Sequence, residues 1–129
     1  MNFRDSKMSA ALRSRIRDLA SPAANEYVCV LDFDPAFTGF EGHFEGNPIV
    51  PGVCLIEAAR VIAEEVIGQS LQTLKIAQCR FRRPVSAGEI AAVNVKISAA
   101  ATPERYNVRA DFHVGDALAA QLRLEAVTR

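Results

Sequence analysis

Hydrophobic positions change their spacing along this chain, and the changes divide it into elements. Between Ser9 and Ala20, Leu12, Ile16 and Leu19 recur at i, i+4 and i+7, the single apolar stripe of an amphipathic helix. Ser9 can cap its start, and Ser21-Pro22 stops it. The run EYVCVLDF, residues 26–33, is β-branched and aromatic and predicts a strand. A long Gly- and Pro-rich connection follows, DPAFTGFEGHFEGNPIV. A loop of that length in a small domain is usually functional or mobile. Pro51 suits the first turn of a helix, where a missing N–H has no partner to lose. The helix is expected over 52–67, with Gly68 closing it. Val53, Leu55, Ile56, Ala59, Ile62 and Val66 spread apolar surface over most of its circumference, so it should be buried.

Beyond Gly68 the period falls to two. LQTLKIAQCRFRRPV leads to a turn at Ser86-Ala87-Gly88, after which Val93, Val95 and Ile97 alternate with Asn94, Lys96 and Ser98. Tyr106, Val108, Ala110, Phe112 and Val114 alternate in the same way, Gly115-Asp116 signals a hairpin, and Leu118, Ala120, Leu122 and Leu124 follow. These are antiparallel strands with one wet face. One buried helix plus such a sheet predicts an α+β fold with the sheet wrapped around the helix. No repeat or second domain is visible, so 1–129 reads as one domain, with 1–22 as a helical extension and 26–127 as its core.

Charge narrows the possible partners. Fifteen basic and fifteen acidic side chains leave no net charge, which argues against nucleic acid. Twelve of the basic residues are Arg, grouped at Arg13, Arg15 and Arg17 and at Arg80, Arg82 and Arg83; each group is either a solvated face or a contact for anions. Three cysteines without paired spacing fit free thiols. The N-terminal MNFRDSKMSAALRSRIRDLA lacks the apolar core of a signal peptide, and the chain reads as soluble and cytoplasmic.

The chemistry concentrates in GHFEGNPIVPGVCLIEAAR, residues 42–60. Glu57, Arg60 and Glu64 fall in one arc of the helix. They are either a polar stripe in which Arg60 pairs both acids, or a setting in which Glu57 is partly desolvated beside Val53, Cys54 and Val61 and holds a proton near neutral pH. His43 is either a loop histidine bonded to backbone or a base. His113, on the polar phase of a strand, reads as a surface residue. No Cys, Asp or second His stands at metal spacing from His43. Gly52 opens the buried helix, where unpartnered N–H groups and the helix dipole favour a developing oxyanion. A base, a polarising N–H and an acid together suit removal of a proton α to a carbonyl with loss of a β-hydroxyl.

This segment resembles the GHFPGxPxxPGVxxIEAxAQ signature of the β-hydroxyacyl-acyl carrier protein dehydratases of the FabZ/FabA type. CRFRRPVSAGE, residues 79–89, is similar to that family's ARFRRPVxPGD strand and turn. The resemblance implies a hotdog fold and a homodimer whose sheets join edge to edge. It places the catalytic histidine on His43, the carboxylate on Glu57 and the thioester-binding amide on Gly52, with histidine and carboxylate drawn from different subunits. Phe44, Val53, Cys54 and Val61 would line the acyl tunnel, and Arg82 and Arg83 would meet the acidic acyl carrier protein. No metal or nicotinamide is implied.

The chain departs from the family where Gln would follow the acid by four residues (Val61 here), where Pro would follow His-Phe (Glu45 here), and in PVSAG. An Arg-rich helix is expected in place of the family's first strand. The implied activity is dehydration of a 3-hydroxyacyl thioester on acyl carrier protein to a trans-2-enoyl thioester. Glu rather than Asp at position 57 points to dehydration without isomerisation. The rival readings are a hotdog thioesterase, which would release free thiol, and a non-catalytic subunit that binds an acyl chain or carrier.

Overall fold

The structure is a computed structural model and describes residues 6–37 and 48–129. In chain order its elements are α1 (Lys7–Arg13), β1 (Ile16–Ala23), β2 (Glu26–Asp32), α2 (Gly52–Ile67), β3 (Leu71–Phe81), β4 (Ile90–Ala99), β5 (Arg105–Val114) and β6 (Ala117–Thr128). The strands form one antiparallel sheet in the order β1-β2-β4-β5-β6-β3, and α2 packs on its inner face. This is the expected α+β arrangement.

Period-two alternation decides which face meets the helix. Val93, Val95, Val108, Ala110, Phe112, Leu122 and Leu124 are buried, while Asn94, Lys96 and Arg123 between them are exposed. Gly115 turns the β5–β6 hairpin at φ 59°, a conformation that costs glycine little. Helix α2 has the bounds that its sequence predicts. Pro51 precedes the first helical residue as the N-cap, and Gly68 closes the last turn at φ 78°, its N–H bonded to the Glu64 carbonyl at 2.8 Å. Cys54, Leu55, Ala58, Ala59, Val61, Ile62 and Ala63 are all buried. No helix among the described residues is long and apolar enough to cross a membrane.

The N-terminal region departs from expectation. The helix predicted over 9–20 ends at Arg13, and Ile16 and Leu19 lie on a strand, so the region is not wholly helical and a first strand is present. The cap is Ser6, whose Oγ accepts from the Ser9 N–H at 3.1 Å; Ser9 itself is buried inside the helix. The physical reason is tertiary. The outer side of β2 carries backbone groups that need partners, and Ile16–Ala23 supplies them in register with Leu31 to Glu26. Only Leu12 of the predicted stripe is fully buried; Leu19 remains 39% exposed. Pro22 is tolerated because β1 is an edge strand.

The two edges of the sheet differ. β1 has two register shifts, a positive φ at Asp18 and a proline, features that discourage further pairing. β3 is also interrupted by register shifts, but it exposes Leu74, Ile76 and Phe81. The returning end of the long connection is pinned beside it: the Val50 N–H donates to the Val85 carbonyl at 2.7 Å and the Ala87 N–H to the Pro48 carbonyl at 3.0 Å.

Helix α1 is part of the core, since Leu12 is 0% exposed and packs within the main apolar cluster. Leu12→Ala is therefore expected to destabilise the protein by about 2–5 kcal/mol, read from urea unfolding, as for any large-to-small change in a packed core. A cost within experimental error would show that α1 is only an appendage.

Candidate active site

Two clefts open beside α2. The first, of about 330 Å³, lies at the helix start and is lined by Ile49, Val50, Gly52, Leu55, Phe81 and Arg82 among others. A Cβ added at Gly52 would meet the Phe81 ring at 2.7–2.8 Å, so the absence of a side chain lets an aromatic ring lie against the helix start. Phe81 is half exposed there. Periodicity gave no sign of this contact, which joins residues 29 positions apart (81 − 52).

The second cleft, of about 340 Å³, is lined by Ser9, Glu57, Arg60, Gln72, Thr73 and Arg129 among others. Glu57 stands five residues after Gly52, and the two open into different clefts of one protomer. The side chain of Glu57 is one-third exposed, and its Oε2 accepts from Arg60 Nη2 at 2.7 Å and Nε at 3.2 Å. Oε1 has only a 3.4 Å contact from the same Nε. The hydroxyl of Thr73 is buried without a partner.

Arg60 does pair both acids of the helical arc, reaching Glu64 Oε2 at 2.9 Å, but the arc is no solvated stripe. Arg60 and Glu64 are 4% and 6% exposed. Helix α1 accounts for part of this burial: Ser9 Oγ accepts from Arg60 Nη2 at 2.8 Å, and Arg13 donates to Glu64 at 2.8 Å and to Glu65 at 2.6 Å. Glu64 also accepts the Leu71 N–H at 2.7 Å, joining the end of α2 to the start of β3.

The other candidates are distributed as follows. His43 and Phe44 lie outside the described residues. Val53 is 65% exposed, whereas Cys54 and Val61 are buried at 1% and 0%. Cys54 Sγ lies 3.7 Å from Met8 Sδ, and burial, with the Glu57 charge a smaller contribution, raises its thiol above the ordinary range. Burial alone pushes Cys29 up to about 11, while Cys79 is exposed. Arg82 is exposed and donates to Gln121 Oε1 at 3.1 Å. Arg83 is committed to the turn after β3, donating to both oxygens of Glu89 at 2.8 and 2.9 Å and to the Pro84 carbonyl at 3.0 Å. Of the N-terminal arginines, Arg15 pairs with Asp34 and lies 5.9 Å from the centre of the Phe37 ring.

A long helix packed on one face of a six-stranded antiparallel sheet is the α+β arrangement of a hotdog fold. The ApeI-like family, described as ApeI dehydratase, matches residues 20–120, and the chain belongs to that family. Curated relatives include the 3-hydroxyacyl-[acyl-carrier-protein] dehydratases FabZ of Caulobacter sp. (strain K31), 30% identical over 97 residues (68% of this chain, 59% of that protein), and of Rhizorhabdus wittichii, 34% identical over 100 residues (68% and 61%). The chain thus spans about three-fifths of their length. Among solved structures, the dehydratase heterocomplex ApeI:P from Xenorhabdus doucetiae is similar, with a TM-score of 0.70 at 22% identity over 87% of this chain and 96% of that one. An uncharacterised protein of Pyrococcus horikoshii shares the fold at a TM-score of 0.68 and 13% identity, over 100% and 93% of the two chains.

Glu89 supplies a pH test of this region. The Ser86 N–H at 2.7 Å and the Arg83 ion pair lower its carboxyl below the ordinary value, with burial partly opposing them. A folded-state value below the unfolded one stabilises the fold above the ordinary carboxylate range, and the contribution is lost as pH falls through the depressed value. Glu89→Gln should therefore cost roughly 1 kcal/mol near neutrality. The difference from wild type should vanish in acid, measured by urea unfolding across pH.

Proposed function

We propose that the chain dehydrates a 3-hydroxyacyl thioester carried on acyl carrier protein to a trans-2-enoyl thioester. The observation that carries this reading is the position of Gly52 as the first residue of α2 and of Glu57, one-third exposed and lining a cleft, five residues along the same helix. In the proposed step His43 takes the proton from C2 and the Gly52 N–H bonds the thioester oxygen as negative charge develops there. The C3–O bond then breaks as Glu57 delivers a proton to the departing hydroxyl. A C2=C3 double bond and water result, and solvent returns the proton from His43 to Glu57. Val53, Cys54, Val61 and Phe44 are the residues proposed to guide the acyl chain.

The partner subunit is proposed to be a second copy of this chain, joined along β3. That edge exposes Leu74, Ile76 and Phe81, whereas the β1 edge is blunted by Pro22 and its register shifts. The proposed location is the cytoplasm, where a carrier-bound substrate would be met.

Glu57→Gln should keep the fold and lose on the order of 10²–10⁴ in dehydration rate, because an amide has no labile proton to give. Product formation is read by mass spectrometry as loss of water. Two-fold symmetry extends the test, since a contact made across the interface occurs twice. Co-refolding Glu57→Ala with His43→Ala should regenerate one intact site per mixed dimer and part of the activity. Confirmed mixed dimers that stay inactive would place both residues within one chain or rule out this chemistry.

An acidic carrier should be steered by exposed cations. Arg83 is held by Glu89, so Arg82 is the better candidate. Arg82→Glu should raise KM for a carrier-bound substrate, less so at high salt, and leave a small thioester analogue unaffected. Equal losses on both substrates would assign Arg82 to the fold.

A further inference from the structure

The guanidinium of Arg60 has five N–H bonds; four of them donate hydrogen bonds, and Nη1 also forms an ion pair with Glu64. Nε donates to Glu57; Nη2 donates to Glu57 Oε2 at 2.7 Å and to Ser9 Oγ at 2.8 Å; Nη1 faces the Leu71 carbonyl at 3.3 Å and Glu64 Oε2 at 2.9 Å. Two of the acceptors, Ser9 and Leu71, belong to other elements, and Glu64 lies further along α2. Ser9 Oγ lies 2.9 Å from the capping Ser6 Oγ. Glu64 is held by Arg13 and by the Leu71 N–H, and Leu71 begins β3. The cation therefore cannot follow Glu57 if Glu57 moves. It is a fixed fork, and its Nε–Nη2 edge faces the carboxylate.

Burying a guanidinium is expensive, and ion pairs of this kind are often no more stabilising than apolar residues of the same volume. Stability alone is thus a weak reason for the arrangement. Its geometric consequence at Glu57 is an asymmetry: Oε2 accepts at 2.7 Å from Nη2 and 3.2 Å from Nε, and Oε1 has a single contact, 3.4 Å from Nε. In the proposed step, where Glu57 must carry a proton, Oε1 is the oxygen with the fewer and longer Arg60 contacts and so the one left to meet a substrate hydroxyl.

We propose that Arg60 is the positioning residue of the acid, selecting Oε1 of Glu57 as the proton-bearing atom, with Ser9 of α1 keeping Arg60 in place. This rests on the dehydratase reading of Glu57. It makes the N-terminal helix a support for the chemistry, acting on the acid through Arg60.

The test compares Arg60→Lys, Ser9→Ala, Glu57→Gln and Glu57→Gln/Arg60→Lys, with kcat, KM and thermal stability measured for each on one 3-hydroxyacyl thioester. Lysine keeps the charge but loses the fork, so Arg60→Lys should lower kcat by roughly 10- to 100-fold, the scale set by small misplacements of a catalytic group, with KM unchanged. Ser9→Ala, which removes one acceptor and leaves the cation paired, should lower kcat less and remain folded even where Arg60→Lys does not. The double variant should be no slower than Glu57→Gln alone, because Arg60 acts only through that carboxylate. The proposal is overturned if both Arg60→Lys and Ser9→Ala keep wild-type kcat, if the loss lies in KM, or if the double variant is slower by the product of the single losses. If Glu57→Gln itself turns over at the wild-type rate, the dehydratase reading falls with it. An inactive Glu57→Gln beside fully active Arg60→Lys and Ser9→Ala removes Arg60 alone.

Discussion

The guanidinium of Arg60 is where three elements of this protein meet. A cation removed from water must have its N–H groups satisfied by fixed partners, and here they come from α1, α2 and the start of β3. That requirement explains several features that look unrelated in isolation. It accounts for a buried serine inside a seven-residue helix and for a glutamate near the end of α2 that also accepts the first N–H of β3. The same constraint orients Glu57, the one carboxylate of the cluster with substantial exposure to a cleft.

The helix start shows a second constraint, one of space. Gly52 lets the Phe81 ring lie where a methyl group would stand, so the ring packs against the first turn of α2. Val50 and Pro48 are tied to the turn that follows β3, and these bonds set where the chain enters the helix. The backbone N–H of Gly52 is thereby placed by contacts on both sides of it, although the connection leading to it is long.

Sheet edges divide the molecule into a closed side and an open one. β1 carries proline, register shifts and a left-handed residue; β3 carries exposed aliphatic and aromatic side chains next to the two clefts. Gly52 and Glu57 open into separate clefts on the two sides of this region.

Periodicity in the sequence determined most of the fold. The helix over 52–67 and the alternation of the last three strands followed from apolar spacing, because each element buries one face and its residues must repeat with its geometry. The motif around Gly52 and Glu57 was legible for the same local reason: a proline, a glycine and an acid at fixed offsets occupy fixed points on one helix. What tertiary structure decided was where long-range partners stood. The spacing of Leu12, Ile16 and Leu19 fits a helix, but the open side of β2 took Ile16–Ala23 as a strand, since backbone groups there needed partners that a local helix cannot supply. Likewise, the sequence placed Glu57, Arg60 and Glu64 in one arc and left open whether water or protein would cover it. The packing of α1, 51 residues away in the chain at Ser9, together with the start of β3, made Arg60 and Glu64 a buried network, because burial depends on contacts that no local pattern encodes.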